Sequence, residues 1–277
     1  MKYRLLGTAA MTTLCLSLPA LAADLPARVT KAPPALVSPA YDWSGFYLGV
    51  HAGYTFGNTG EDDDTVTTTG QAQANINNVA GGARPGRVGL DRDGFIGGGQ
   101  MGYNWQFTPN WVFGLETDIS YVDVRNDTNV VTAPLAPAVG SLNNTFRTRM
   151  EYFGTVRGRI GYAWDRTLFY ATGGLAYAEI ENSVAFFGPA ATGGVLQFSG
   201  NNRRTEAGYT VGAGFEHAFA PNWSVKAEYL YYDFRDETVN VAVIPNSGGG
   251  GTGYDSRFEN DGHIVRVGLN YKFGAMR

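Results

Sequence analysis

The sequence runs to 277 residues and carries 21 Lys and Arg against 25 Asp and Glu, a formal net charge of −4. That acidity argues against a nucleic-acid partner, whose phosphates call for a basic face. The single cysteine, Cys15, lies in the first stretch, so the rest of the chain has neither a disulfide framework nor thiol chemistry.

Residues 1–22 read as a cleaved export signal. Lys2 and Arg4 supply the positive start, Leu5 to Leu18 the apolar run, and Ala20-Leu21-Ala22 the small-x-small site, which places the cut between Ala22 and Ala23. The run is too short for a spanning helix, and no lipobox-like pattern precedes Cys15. Losing Lys2 and Arg4 takes the net charge from −4 to −4 − 2 = −6. Residues 23–42, with Pro26, Pro33, Pro34 and Pro39, form a linker expected to lie on the periplasmic side.

From residue 43 to 277 the pattern is all-β. Eight stretches alternate apolar and polar side chains, which places the two kinds on opposite faces of a strand. They are Ser44–Phe56, Gly94–Phe107, Trp111–Val124, Thr148–Trp164, Thr167–Glu179, Thr205–Phe219, Trp223–Phe234 and His263–Phe273. The oily set includes Leu48, Val50, Leu115, Met150, Ala227 and, in the last stretch, Val265, Val267, Leu269, Tyr271 and Phe273. One such strand would suit a soluble sandwich with its oily face inward. Eight of them behind an export signal predict an eight-stranded antiparallel up-and-down barrel in the outer membrane, oily face to the lipid.

The connections alternate in length. Thr108-Pro109-Asn110, Trp164-Asp165-Arg166-Thr167 and Ala220-Pro221-Asn222 are tight turns, expected in the periplasm. Gly57–Asp93, Arg125–Arg147, Ile180–Arg204 and Arg235–Gly262 are long and are expected as four extracellular loops. Trp43, Trp105, Trp111, Trp164 and Trp223 all fall at the short-turn ends, and tyrosines and phenylalanines at the other, as two interfacial aromatic belts. Arg in place of Leu115 or Ala227 is therefore expected to be costly, and Arg at the loop position Thr68 to be tolerated.

The motif Gly102-Tyr-Asn-Trp-Gln-Phe-Thr-Pro-Asn-Trp111 echoes Gly214-Phe-Glu-His-Ala-Phe-Ala-Pro-Asn-Trp223, which we read as two equivalent turns sharing one chemistry. Together with the leader, the Pro-rich linker, Trp43-Ser-Gly-Phe-Tyr-Leu-Gly49 and Val267-Gly-Leu-Asn-Tyr-Lys-Phe273, this resembles a family of small alphaproteobacterial outer-membrane surface antigens. These are Gram-negative porin-family proteins with opacity-like β-barrels. The resemblance implies a non-enzymatic cell-envelope protein with surface or adhesive roles, no cofactor, the barrel assembly machinery and membrane lipid as partners, and host or surface ligands at the loops. A small diffusion porin or a haemin-binding barrel is the alternative it leaves open. The family's chain end on an aromatic is not kept here, because Gly274-Ala-Met-Arg277 follows Phe273.

An eight-stranded barrel is only wide enough for side chains to fill. The inward set includes His51, Gln100, Asn104, Glu151, Thr172, Glu216 and Lys226. Within it, Glu116, Asp118, Arg157, Arg159, Glu228 and Arg266 are expected to form an ionic network that plugs the lumen. Counting upward from the short turns places Glu116 opposite Arg159 and Asp118 opposite Arg157. An outer-membrane hydrolase is a further alternative, because His263 lies near Ser256, Glu259 and Asp261 in sequence. Gly97-x-Gly99-x-x-Gly102 mimics a dinucleotide fingerprint but sits inside a strand with no following helix. Glu61-Asp-Asp-Asp64 reads as a solvated acidic loop rather than a cation site.

Overall fold

In the computed structural model, residues 41–57, 66–133 and 140–274 are described. The Ala22/Ala23 junction, nearly all of the linker, the acidic run Glu61–Asp64 and the last three residues lie outside them. The elements are β1 (Gly45–Phe56), β2 (Val66–Gly70), α1 (Gln73–Ala80), β3 (Arg87–Val88), β4 (Gly94–Gln106), β5 (Trp111–Thr132), β6 (Leu142–Trp164), β7 (Thr167–Phe187), β8 (Leu196–Ala218), β9 (Trp223–Val243) and β10 (Gly253–Lys272). Eight of them close an antiparallel ring in the order β1-β4-β5-β6-β7-β8-β9-β10, with β10 back against β1.

The apolar alternation puts its large side chains on the outside of the ring. Leu48, Phe113, Leu115, Ile119, Leu175, Val211, Val267 and Leu269 are all exposed. The three short turns close one end, here called the base. Asn110 and Asn222 occupy equivalent places in two of them. Each donates its amide to the carbonyl of a neighbouring strand end, Asn110 to Ala163 at 2.9 Å and Asn222 to Lys272 at 2.7 Å. That shared tie accounts for the Pro-Asn-Trp echo.

The strands from β5 to β10 run to 20–23 residues. A tilted strand crosses a membrane in about 9–11 residues. Three stretches expected as long loops are therefore mostly strand: β5 and β6 continue through Arg125–Thr132 and Leu142–Arg147, β7 and β8 through Ile180–Phe187 and Leu196–Arg204, and β9 and β10 through Arg235–Val243 and Gly253–Gly262. Polar alternation there is no obstacle to strand formation, because the outward face is wet. Among the described residues, Gly57–Asp93 stays chiefly a connection, and it holds β2, α1 and β3.

Irregularities gather at one level. Register shifts fall between Tyr121 and Val124 against Tyr152 and Met150, between Met150 and Phe153 against Ile180 and Ala178, and between Phe258 and Asn260 against Glu237 and Phe234. They reverse the facing of β6 and β9, since a one-residue slip sends every later side chain to the other face. Met150, expected outward, is buried inside, and Glu151, expected inward, is exposed.

Above this level the ring divides. β1 ends at Phe56 and β4 begins only at Gly94, so β10 takes β2 as its partner, with Phe258 opposite Val66. β8 and β9 lose their ladder between Ser199↔Ala242 and Gly208↔Phe234. The upper part is thus two four-stranded layers, β5-β6-β7-β8 and β9-β10-β2-β3. Their facing sides bury Phe146, Val184, Phe186 and Phe198 against Val66, Val239, Val241, Tyr254 and Phe258. Asn75 of α1 pins the segment to the β9–β10 connection, donating to the Gly250 carbonyl at 3.0 Å and accepting from the Thr252 amide at 3.1 Å. Thr68, expected on a loop, lies buried in β2 with its hydroxyl 2.9 Å from that of Ser256. Arg at Thr68 therefore buries an unpaired charge and is expected to be destabilising, the reverse of the sequence expectation.

Candidate functional site

The lower barrel encloses one charged cluster of four carboxylates, Glu116, Asp118, Glu216 and Glu228, and four cations, Arg157, Arg159, Lys226 and Arg266. Every one is buried. Among the described residues the set is balanced, four negative against four positive. Arg157 is its centre. It donates to Glu116 at 2.6 Å, Glu228 at 3.0 Å and Asp118 at 3.2 Å, with Thr155 on its Nε at 2.9 Å. Arg266 donates to Glu228 at 2.7 Å and Asp118 at 3.1 Å, and Lys226 donates to Glu116 at 2.8 Å.

Arg159 sits lower and is held differently. Its Nε and Nη2 share Asn104 Oδ1 at 2.9 and 2.7 Å, and Nη1 meets Glu216 at 3.2 Å. Its guanidinium lies between two tyrosine rings, 4.8 Å from the centroid of Tyr47 and 5.3 Å from that of Tyr170. A desolvated cation between two ring faces is stabilised by both quadrupoles. The phenols then reach the carboxylates, Tyr47 donating to Glu116 at 2.7 Å and Tyr170 to Glu228 at 3.0 Å.

All six residues expected in the network fall inside the barrel, and Arg157 does bond Asp118, at 3.2 Å, but the strand count does not give the directly opposed residues. The register places Glu116 opposite Arg157 and Asp118 opposite Thr155, with Arg159 opposite Gly114. Arg159 approaches Glu116 only to 3.6 Å. Counting from two short turns assumes that neighbouring strands start level, whereas barrel closure staggers them. Here Trp111 faces Tyr162 rather than Trp164. Glu228 and Arg266 are directly opposed across β9 and β10.

The echo reaches deeper than the turns. A Cβ at Gly102 would strike the Tyr47 phenol, and one at Gly214 would come within 2.7 Å of the Tyr170 phenol oxygen. Each glycine makes room for an inward tyrosine, and each tyrosine bonds the glutamate fourteen positions after that glycine, Glu116 or Glu228. Gly102, the last glycine of the dinucleotide-like spacing in β4, thus has a packing cause. Tyr47, Tyr170 and Lys226 complete the cluster, and strand parity alone marks all three as inward.

Four of the five tryptophans, Trp105, Trp111, Trp164 and Trp223, are exposed at the base end of the outer wall. Trp43 is not among them. It is 2% exposed and packs inside the base with Val112, Leu168 and Tyr170. Its place in sequence follows the same parity, since Trp43, Gly45 and Tyr47 share a face. Its backbone amide donates to Gln106 Oε1 at 2.8 Å.

Above the charges lies an apolar layer of Ile96, Val122, Val124, Phe153, Ile180, Leu230, Tyr232 and Phe234. A thin polar layer follows, in which Thr148 donates to Asn182 at 2.8 Å and Asn182 to Glu237 at 2.8 Å. The hydrolase constellation is not assembled. Ser256 faces inward onto Thr68, while His263 stands on the outer wall with Nδ1 2.7 Å from the Tyr229 hydroxyl. The buried pair His51 and Ser120, 2.7 Å apart, belongs to the closed cluster.

Glu237 is the polar layer's weak point. Burial raises its carboxyl above the usual value, against the lowering pull of Asn182 and Arg204, whose Nε lies 3.3 Å from Oε1. A carboxyl raised in the folded state adds stability that is full below the unfolded value and is lost as pH rises through the folded one. Glu237→Gln is therefore expected to shift the urea midpoint upward at pH 8 and to leave it unchanged near pH 4. An unchanged difference between the two pH values would remove Glu237 as its source.

Comparison with known proteins gives consistent likenesses. The profile described as "Outer membrane protein beta-barrel domain" matches residues 8–273. The 31 kDa outer-membrane immunogenic protein of Brucella melitensis biotype 1 is 34% identical over 255 residues, 92% of this chain and 93% of that one. The 22 kDa outer membrane protein of Rhizobium leguminosarum bv. viciae is 30% identical, covering 86% of this chain and 81% of that one. Among solved structures, OprG of Pseudomonas aeruginosa superposes with a TM-score of 0.47 at 15% identity, covering 84% of this chain and 97% of that one.

Proposed function

The chain belongs to the outer-membrane protein β-barrel family, and from that premise we propose that it works as a closed pedestal, not as a pore or an enzyme. As a member it is an outer-membrane surface protein, in contact with membrane lipid. The pedestal holds the two-layered head clear of the lipid and presents its outer walls for surface contacts.

One observation carries this reading: the interior is filled from end to end by different means at successive levels. Trp43 and its neighbours close the base, eight paired charges fill the membrane level, and two apolar layers fill the upper part. A conducting path needs a hydrated channel through all of them. The outer wall supports the division of labour, with exposed aliphatic side chains below and the pairs Arg203–Glu179 and Arg125–Asp123 above. Assembly through the barrel assembly machinery is part of the same reading. Phe273, at the end of the closing strand, remains on the outer wall, its amide donating to the Phe46 carbonyl at 2.9 Å.

Planar-bilayer recording tests the closure. The purified protein is expected to give no steady single-channel current, and large, steady currents would put a diffusion pore in its place. Relatives carry names of immunogenic outer-membrane proteins rather than of enzymes. The separated positions of Ser256 and His263 support the non-enzymatic reading.

A further inference from the structure

The head's two layers meet along two lines, and these differ. Between β8 and β9 the interruption is stitched at both ends, by Ser199↔Ala242 above and Gly208↔Phe234 below, with Arg204 reaching toward Glu237 between them. On the other line β4 starts at Gly94, opposite Val124, so β5 from Arg125 to Thr132 is laddered only to β6 among the described residues. β3, the facing layer's border, is two residues long and pairs with β2. The top of the line is tied, since Thr132 donates its hydroxyl to the Ala83 carbonyl at 2.7 Å and Arg84 donates to Asn144 at 2.8 Å.

We propose that the β5 edge, Arg125–Thr132, accepts an extended strand from another polypeptide, which would lengthen the β5-β6-β7-β8 layer. An unpaired strand edge offers a row of main-chain donors and acceptors that selects an extended backbone over any other shape. The usual protections are missing from this one. The stretch has neither proline nor lysine, and its two charges are engaged along the wall, Arg125 with Asp123 at 3.1 Å and Asp127 with Arg147. Its tip, Thr128-Asn129-Val130-Val131-Thr132, is uncharged and rich in β-branched residues. Val131 is 61% exposed on the outer face, while Val130 packs inward on the apolar cluster. The incoming strand is thus expected to alternate, with small or apolar residues on the Val130 side and polar or β-branched ones beside Val131.

A second copy in the same membrane does not fit. Two copies stand the same way up, so their β5 edges would meet running in the same sense and, tilted by about 35–45° in opposite directions, would cross instead of forming a ladder. A chain free of the membrane has no such constraint.

The proposal rests on the head's lying outside the bilayer, and the experiment separates the two. The full-length protein is refolded into lipid vesicles, and amide hydrogen exchange is followed with and without a synthetic eight-residue peptide copying Arg125–Thr132. Without peptide, amides along 125–132 should alternate between slow and fast exchange. With peptide, the fast ones should slow, and fluorescence anisotropy of the labelled peptide should saturate. Val131→Lys, a charge at an exposed edge position, should weaken that binding about tenfold, which is about 1.4 kcal/mol. Uniformly slow exchange without peptide, no saturable binding, or protection elsewhere would each overturn the edge as a docking site. In parallel, Asn201→Cys on β8, at the other border of the same layer, is treated on intact cells with a membrane-impermeant maleimide. Absence of labelling would remove the exposed-head reading itself, whereas labelling without peptide protection would remove the edge proposal alone.

Discussion

Arg157→Ala is expected to be the most damaging single substitution in the barrel, lowering stability by about 3–5 kcal/mol in a refolding titration from urea. The guanidinium is 1% exposed and answers three carboxylates at once, Glu116, Asp118 and Glu228. Its removal leaves those carboxylates to share Arg266, Lys226 and Arg159, with the desolvation cost of each already incurred. Any water admitted to the vacated space raises the local dielectric and pulls the figure toward its lower end. Double changes separate pairing from mere burial. Arg157→Ala combined with Glu116→Ala should cost less than the two singles added together, because the second deletion removes a charge that the first had orphaned. The same cycle with Arg159 and Glu116 should be closer to additive. That pair stands at 3.6 Å, and Arg159 leans chiefly on Asn104 and Glu216. Additive costs in the Arg157 cycle would remove the pairing, and a larger coupling for Arg159 would restore the partners that simple strand counting suggests.

That contrast also marks how far the sequence could be read. Alternation identifies a strand's faces, so the inward placement of Glu116, Asp118, Arg157, Arg159, Glu228 and Arg266 was legible before any coordinates. Register is a property of two strands together, and the stagger needed to close a ring appears in neither strand alone. Met150 and Glu151 show a second limit. Their facing depends on a bulge set against β5, and no turn residue announces it. The upper strands are hidden in the sequence for a different reason. Their outward faces are polar, as loops are, and their inward apolar residues, Phe146, Val184, Phe186, Val239 and Val241, form a face of opposite sense to the oily wall below. The soluble-sandwich pattern and the membrane-barrel pattern are both present, one above the other on the same strands. Trp43 shares its parity with Tyr47, and that parity, not its residue type, decides that it lies inside.

The outer wall allows the complementary experiment. Leu115 is the fifth of eleven residues between Trp111 and Tyr121, and Ala227 the fifth of nine between Trp223 and Tyr231. Both therefore lie near the middle of the lipid band, with Leu115 60% exposed to it. An arginine there must either stay in hydrocarbon or draw headgroups and water toward itself. Leu115→Arg and Ala227→Arg are each expected to cost about 2–4 kcal/mol in refolding from urea into lipid vesicles. Asn129→Arg is the control, on the outward face of β5 but above the bulge level, and its cost should fall within about 0.5 kcal/mol of zero. The three variants introduce the same side chain, two of them at mid-wall and one above it, so the contrast between the two heights measures where lipid ends. A cost at Asn129 equal to that at Leu115 would mean that the bilayer reaches the head and that the long strands lie in it at a steep tilt. Equal tolerance at all three would mean that the exposed aliphatic wall does not face lipid at all.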